Sequence, residues 1–161
     1  MTKKPPASTE ELLQDWYRRA REAQFALYEA AKPLSRANYN LGIPVALLSA
    51  FVGTSIFATL QKDQADTRLR ILIGIISVLA AVLASLQTFL RLSERAEKHR
   101  AAAVRYGALR RELEAAIAKG GPYEDKLVAG VREKLDSISS DSPEIPARVW
   151  TKVEKLLKER Q

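Results

Sequence analysis

The sequence predicts an all-α membrane protein: a two-helix transmembrane hairpin with a cytoplasmic helical bundle built from the N-terminal arm, the extended second span and two C-terminal helices. Three observations carry that prediction. Residues 41–60 (LGIPVALLSAFVGTSIFATL) and 71–90 (ILIGIISVLAAVLASLQTFL) each run 20 residues without Asp, Glu, Lys, Arg or His. At about 1.5 Å per helical residue, each covers roughly 30 Å, the hydrocarbon thickness of a bilayer. A soluble core helix of that length ordinarily keeps a charged face, and neither segment has one. Finally, the flanks are so polar that the mean hydropathy of −0.18 averages two apolar segments with a charged remainder. Nothing in the chain has strand periodicity or an internal repeat.

Residues 1–40 read as a helical arm. Its opening, MTKKPPASTEELLQDW, has no apolar stretch behind the lysines, so no cleavable signal peptide is expected. Ser8 with Glu11 fits a capping box, after which Leu12, Trp16, Ala20, Ala23, Leu27, Ala30 and Leu34 recur at intervals of three and four. Pro33 is expected to kink or end this helix, and Gly42 with Pro44 marks a second bend at the entrance to the first span, 41–60. Two readings of the arm stand. It lies in the headgroup layer with Trp16, Tyr17 and Tyr28 as anchors, or it packs on the C-terminal helices, which its alanine-rich stripe favours. The loop 61–70 (QKDQADTRLR) is too short for an outer domain or a selectivity loop, so the two spans would form a tight antiparallel hairpin.

From residue 71 to 119 there is no proline, which predicts one helix of about 49 residues, roughly 70 Å long, leaving the membrane after residue 90 as a stalk. Leu92, Ala96, His99, Ala103, Tyr106, Leu109 (or Arg110), Leu113 and Ile117 form a near-heptad stripe along it. That spacing invites a coiled-coil or bundle partner and makes 91–117 the candidate for the main contact between subunits. Gly120-Gly121-Pro122 stops the helix. Leu127, Val128, Val131, Leu135 and Ile138 mark a shorter helix, and residues 139–143 a loop. Pro146 then suits the first turn of a last helix with Val149, Trp150, Val153, Leu156 and Leu157 as its apolar side.

Orientation follows from the basic residues. Arg18, Arg19, Arg21, Lys32 and Arg36 precede the first span, and Arg91, Arg95, Lys98, Arg100 and Arg105 follow the second. The loop offers only Lys62, Arg68 and Arg70, diluted by Asp63 and Asp66. Positive-inside bias therefore predicts a multi-pass membrane protein with both termini cytoplasmic and the loop outside. The net charge of +7 reads as topology and attraction to anionic headgroups. Specific nucleic-acid binding is not expected, because acids alternate with the bases (RAREAQ, RRELEA).

No catalytic pattern is present: no phosphate-binding glycine loop, nucleophile elbow, HExxH or EF-hand. With no cysteine and a single histidine, neither a disulfide nor a metal centre is expected, and no cofactor. His99 reads either as a packed interface histidine or as a pH or ligand sensor between subunits. The spans carry more. Ala46, Ser49, Ala50, Gly53, Thr54 and Ala58 place small residues along one side of the first; Gly74, Ser77, Ala81, Ala84, Ser85 and Thr88 do so in the second. Such faces let helices approach closely in lipid, and Gly53 joins Leu92, His99, Tyr106 and Leu113 as a packing candidate. Ser49, Thr54, Ser77, Ser85 and Gln87 are the candidates for lining a water pathway in an oligomer. Arg91 and Arg95 would stand at its inner mouth or anchor to headgroups.

The order of features, from NYNLGIPVALLSAFVGTSIFATL through LAAVLASLQTFLRLSERAEKHRAAAVRYGALRRELE to a late IPARVW, resembles the SLATT family over nearly the whole chain. These are two-transmembrane effector domains associated with nucleotide-sensing bacterial conflict systems. Glu94–Arg100 and Arg105-Tyr106-Gly107 carry the resemblance most sharply. It implies a membrane effector that forms pores, depolarising or killing the cell in anti-phage defence, with no active-site residue to transfer. The trigger would then be a separate nucleotide-sensing protein, a small ligand at the bundle, or assembly itself. Two helices cannot enclose water, so four or more copies would be needed around an axis. The rivals are a nonconducting membrane-anchored scaffold and a nucleotide-sensing subunit with a pocket drawing on Arg100, Arg105, Arg110 and Arg148.

Overall fold

The computed structural model describes residues 6–60 and 67–159, and among them every regular element is an α-helix. The elements are α1 (Thr9–Leu60), α2 (Thr67–Leu90), α3 (Leu92–Lys119), α4 (Asp125–Asp141) and α5 (Ala147–Lys158). Most of the predicted loop, residues 61–66, lies outside the described residues; its last four residues, 67–70, belong to α2.

Two expectations are corrected: that Pro33 could end its helix, and that residues 71–119 form one unbroken helix. The arm and the first apolar segment are one continuous helix that passes through both Pro33 and Pro44. Each proline removes a backbone donor, leaving the carbonyls of Glu29 and Asn40 without their partners four residues on, but neither ends the helix. Conversely, the long helix predicted from 71 to 119 is interrupted. Arg91, at φ 45°, stands in the left-handed region and separates α2 from α3. A non-glycine residue there costs about 1–2 kcal/mol, which no propensity rule for arginine anticipates.

The chain divides into two compact units, Met1–Lys32 with Arg95–Gln161, and Pro33–Glu94. The first is a helical bundle. Ser8 Oγ accepts the Glu11 N–H at 3.2 Å, and the Glu11 carboxylate accepts the Ala7 N–H at 2.7 Å, so two orphan donors at the start of α1 are satisfied. Behind this cap, Leu13, Ala20 and Leu27 of α1 enter one core with Ala103, Tyr106, Leu109 and Leu113 of α3 and Val131 and Ile138 of α4. This is the second reading of the arm, packed on the C-terminal helices. Gly107 is where α1 and α3 come close: a Cβ there would stand 2.5 Å from Gln24 Nε2.

A smaller cluster of Ala26, Ala30, Val149 and Val153 seats α5 on α1. Lys152 reaches Glu29 at 2.7 Å across that contact, and Lys32 pairs with the same carboxylate from within α1. The α3 helix ends as predicted, with Gly120 at φ 74° donating its N–H to Ile117 O. By contrast, α4 runs on to Asp141, through residues expected to be loop. Arg105 holds that last turn by bonds to Asp141 (2.9 Å) and Ser137 (3.3 Å).

Candidate functional site

The Pro33–Glu94 unit exposes most of its large apolar side chains. Tyr39, Ile43, Leu47 and Phe51 on α1, and Ile75, Val78, Val82 and Phe89 on α2, stand at the surface of the chain, Phe89 with 81% of its area exposed. The helical run Thr67–Lys119 holds one stretch long and apolar enough to cross a membrane, and only 11% of that stretch is buried. A core helix of a soluble protein has the opposite distribution, because burial of apolar area is what drives it inward. Among the described residues the protein is thus all-helical, with one helix long and apolar enough to cross a membrane.

The faces sort differently from the sequence pattern. On α2 the less exposed positions are Ile73, Ile76, Ser77, Ala80, Leu83, Ala84 and Gln87, a stripe at intervals of three and four. On α1 they include Leu41, Gly42, Val45, Leu48 and Val52. The two helices meet where Gln87 lies over Gly42: an added Cβ would sit 3.1 Å from Gln87 Nε2. The sequence marks Gly42 as a bend; the signal for this contact was a glycine at the same level as the lone amide of the other apolar segment. Most of the small-residue positions are left outside this contact. Ala46, Ser49, Ala50 and Thr54 on α1, and Gly74, Ala81, Ser85 and Thr88 on α2, are exposed. Gly53 is partly exposed, and among the described residues no side chain or other helix comes within 4 Å of where a Cβ would stand on it or on Gly74.

Of the pore-lining candidates, Ser49, Thr54 and Ser85 are therefore exposed, whereas Ser77 and Gln87 lie on the partly covered face. The hydroxyls turn back on their own helices. Thr54 donates to Ala50 O and Phe51 O (both 3.0 Å), Ser77 to Ile73 O (2.8 Å), Ser85 to Ala81 O (2.9 Å) and Thr88 to Ala84 O (3.1 Å). Bonded so, a hydroxyl adds no unsatisfied group to an apolar surface. Arg91 is exposed and stands 3.6 Å from Glu94.

Of the stalk candidates, three lie in the bundle, the partner that their spacing invited. His99, Tyr106 and Leu113 are buried in the chain's own bundle, Leu113 completely. The near-heptad stripe of α3 finds its partners in α1 and α4 of the same molecule, so it is not left free for a second copy. Leu92 is buried as well. Arg95 is exposed and acts on His99: desolvation first, then the Arg95 charge, lowers the His99 pKa, and its Nδ1 has no hydrogen-bond partner. The four arginines considered for a nucleotide pocket are not brought together. Arg105 is tied to Asp141 and Arg100 lies 3.6 Å from Glu97. Arg148 is exposed on α5, and Arg110 is half-buried on α3 with its Nε unpartnered. Among the described residues no three His, Asp or Glu side chains converge as metal ligands would. Comparisons with protein-family models, with curated proteins and with solved structures give no match.

Proposed function

We propose that this chain is an oligomeric membrane effector that forms an ion-conducting or permeabilising pore in the bacterial cell membrane. In this reading, 41–60 and 71–90 are an antiparallel pair of spans, with the bundle and both termini cytoplasmic. The Gly42–Gln87 approach supports it, since it puts the start of one apolar segment beside the end of the other. The observation that carries the proposal is the exposed set of small residues. Ala46, Ser49, Ala50, Thr54, Gly74, Ala81, Ser85 and Thr88 are not used up in contacts within the chain. In lipid there is no hydrophobic drive between helices, and such surfaces associate through close van der Waals approach, here with further copies. Four or more copies around an axis would put part of that surface against water. The resemblance to the SLATT family supports a role in anti-phage defence.

Liposome flux tests the reading: purified oligomer should release a trapped ion-sensitive dye, and an oligomer that passes no ions under any trigger would defeat it. A second reading, a nonconducting anchor, is favoured by one observation. The hydroxyls of Thr54, Ser77, Ser85 and Thr88 are satisfied within their own helices, as a dry interface requires. Flux separates the two.

A further inference from the structure

A groove of about 640 Å³ in the bundle runs along α1 and α4 to the segment that joins α4 to α5. Its volume falls in the range of sites for small organic ligands, roughly 300–1,000 Å³. Three aromatic side chains line it: Trp16 from α1, Tyr106 from α3 and Trp150 from α5. Trp150 stands 41% exposed although it sits beside the buried Val149. An indole left at the mouth of a groove has an unused face, and that face attracts cations through the ring quadrupole.

The charges point the same way. Two guanidiniums line the groove: Arg19 lies 2.7 Å from Asp15, a carboxylate that Arg18 also binds at 2.8 Å, and Arg132 lies 3.7 Å from Asp136. Glu22 and Glu144 also line it, and neither makes an ion pair with another described residue. The lining is thus aromatic, with three carboxylates to two guanidiniums, and two of those carboxylates, Glu22 and Glu144, are outside any ion pair among the described residues. A nucleotide or other phosphate ligand would meet repulsion there, whereas an ammonium group would gain from both carboxylates and rings.

We propose that this groove binds a small organic cation, an ammonium group carried on an aromatic or apolar body. The apolar body lies against Trp16, Tyr106 and Trp150, and the charge is held between Glu22 and Glu144. The site belongs to the bundle alone, so the proposal stands or falls independently of pore formation.

Fluorescence tests it directly, because Trp16 and Trp150 are the only two tryptophans in the chain and both line the groove. The full chain in nanodiscs of phosphatidylcholine, which carries no net charge, is titrated with benzyltrimethylammonium, with benzenesulfonate and with ATP. The proposal expects a saturable change in tryptophan emission with the ammonium probe and none with either anion. Glu22→Gln with Glu144→Gln should weaken binding roughly tenfold, about 1.4 kcal/mol. Arg132→Gln, at an exposed position that frees the Asp136 carboxylate, should tighten it. Equilibrium dialysis gives the same affinities where a variant alters the resting emission. A saturable response to ATP, no response to the ammonium probe, or an unchanged affinity in both variants would each overturn the assignment.

Discussion

Replacing Leu113 with alanine separates two roles for the α3 stripe. The side chain is fully buried in the core that α1, α3 and α4 share. Removing its isobutyl group loses the transfer free energy of the deleted atoms and leaves a cavity, and fully buried leucines of this kind cost about 3–5 kcal/mol. A domain of roughly 100 residues loses about 4–8 °C in Tm per kcal/mol, so the bundle should melt roughly 12–40 °C lower. Circular dichroism in detergent reads this, with Leu156→Ala on the open face of α5 as the control expected to shift by only a few degrees. Light scattering below the transition should give an unchanged oligomer mass. The contrary pattern, in which Leu113→Ala melts within a few degrees of the wild type while the oligomer falls apart in the cold, would refute the intrachain packing. It would return the stripe to a contact between subunits.

Three further perturbations follow from the structure. At Gly53 an added Cβ meets nothing within 4 Å among the described residues, so a loss of particle mass in detergent on Gly53→Leu would report a neighbouring copy, and an unchanged mass would remove Gly53 from the interface. Arg91→Gly should raise Tm by a few degrees, because glycine takes φ 45° without the penalty of about 1–2 kcal/mol while the exposed ion pair with Glu94 adds little; a lower Tm would contradict the strain. Glu29 has a pKa lowered from 4.5 by hydrogen bonds from Lys152 and then Lys32. Its folded value lies below the unfolded one, so the contribution is complete above about pH 4.5 and is lost as pH falls through the lowered value. Because both lysines are well exposed, the effect is small, about 1 kcal/mol or less. Urea titrations from pH 7 to pH 3 should show the difference between wild type and Glu29→Gln vanishing at the acid end; a constant difference would count against the pairing.

Much of the fold was legible because helical periodicity and stop signals are local. The capping box at Ser8, the Gly120 stop, and the apolar faces of α4 and α5 are each written within a few residues. What the sequence hid depends on contacts between distant residues. Pro33 and Pro44 carry the signature of breaks, yet α1 passes through both. Arg91 carries no signature and interrupts a proline-free run. The α3 stripe announced that it needed a partner but not which, and the answer, α1 and α4 of the same chain, lies some eighty residues away in one direction and twenty in the other. For the candidate site, composition found the apolar segments and their small residues. It could not say which face the chain would cover, since Gly42 and Gln87 are paired only by three-dimensional register. The aromatic and acidic lining of the bundle groove was equally invisible, being drawn from four helices and a loop.

The central claim is that lipid surrounds the exposed apolar side chains of α2. The chain has no cysteine, so Val78→Cys carries a single nitroxide at a position that is 66% exposed. In liposomes, power-saturation resonance should show the label relaxed strongly by oxygen, which concentrates in hydrocarbon, and barely by a water-soluble nickel chelate. Strong relaxation by the chelate, with a label mobile as in water, would contradict the account.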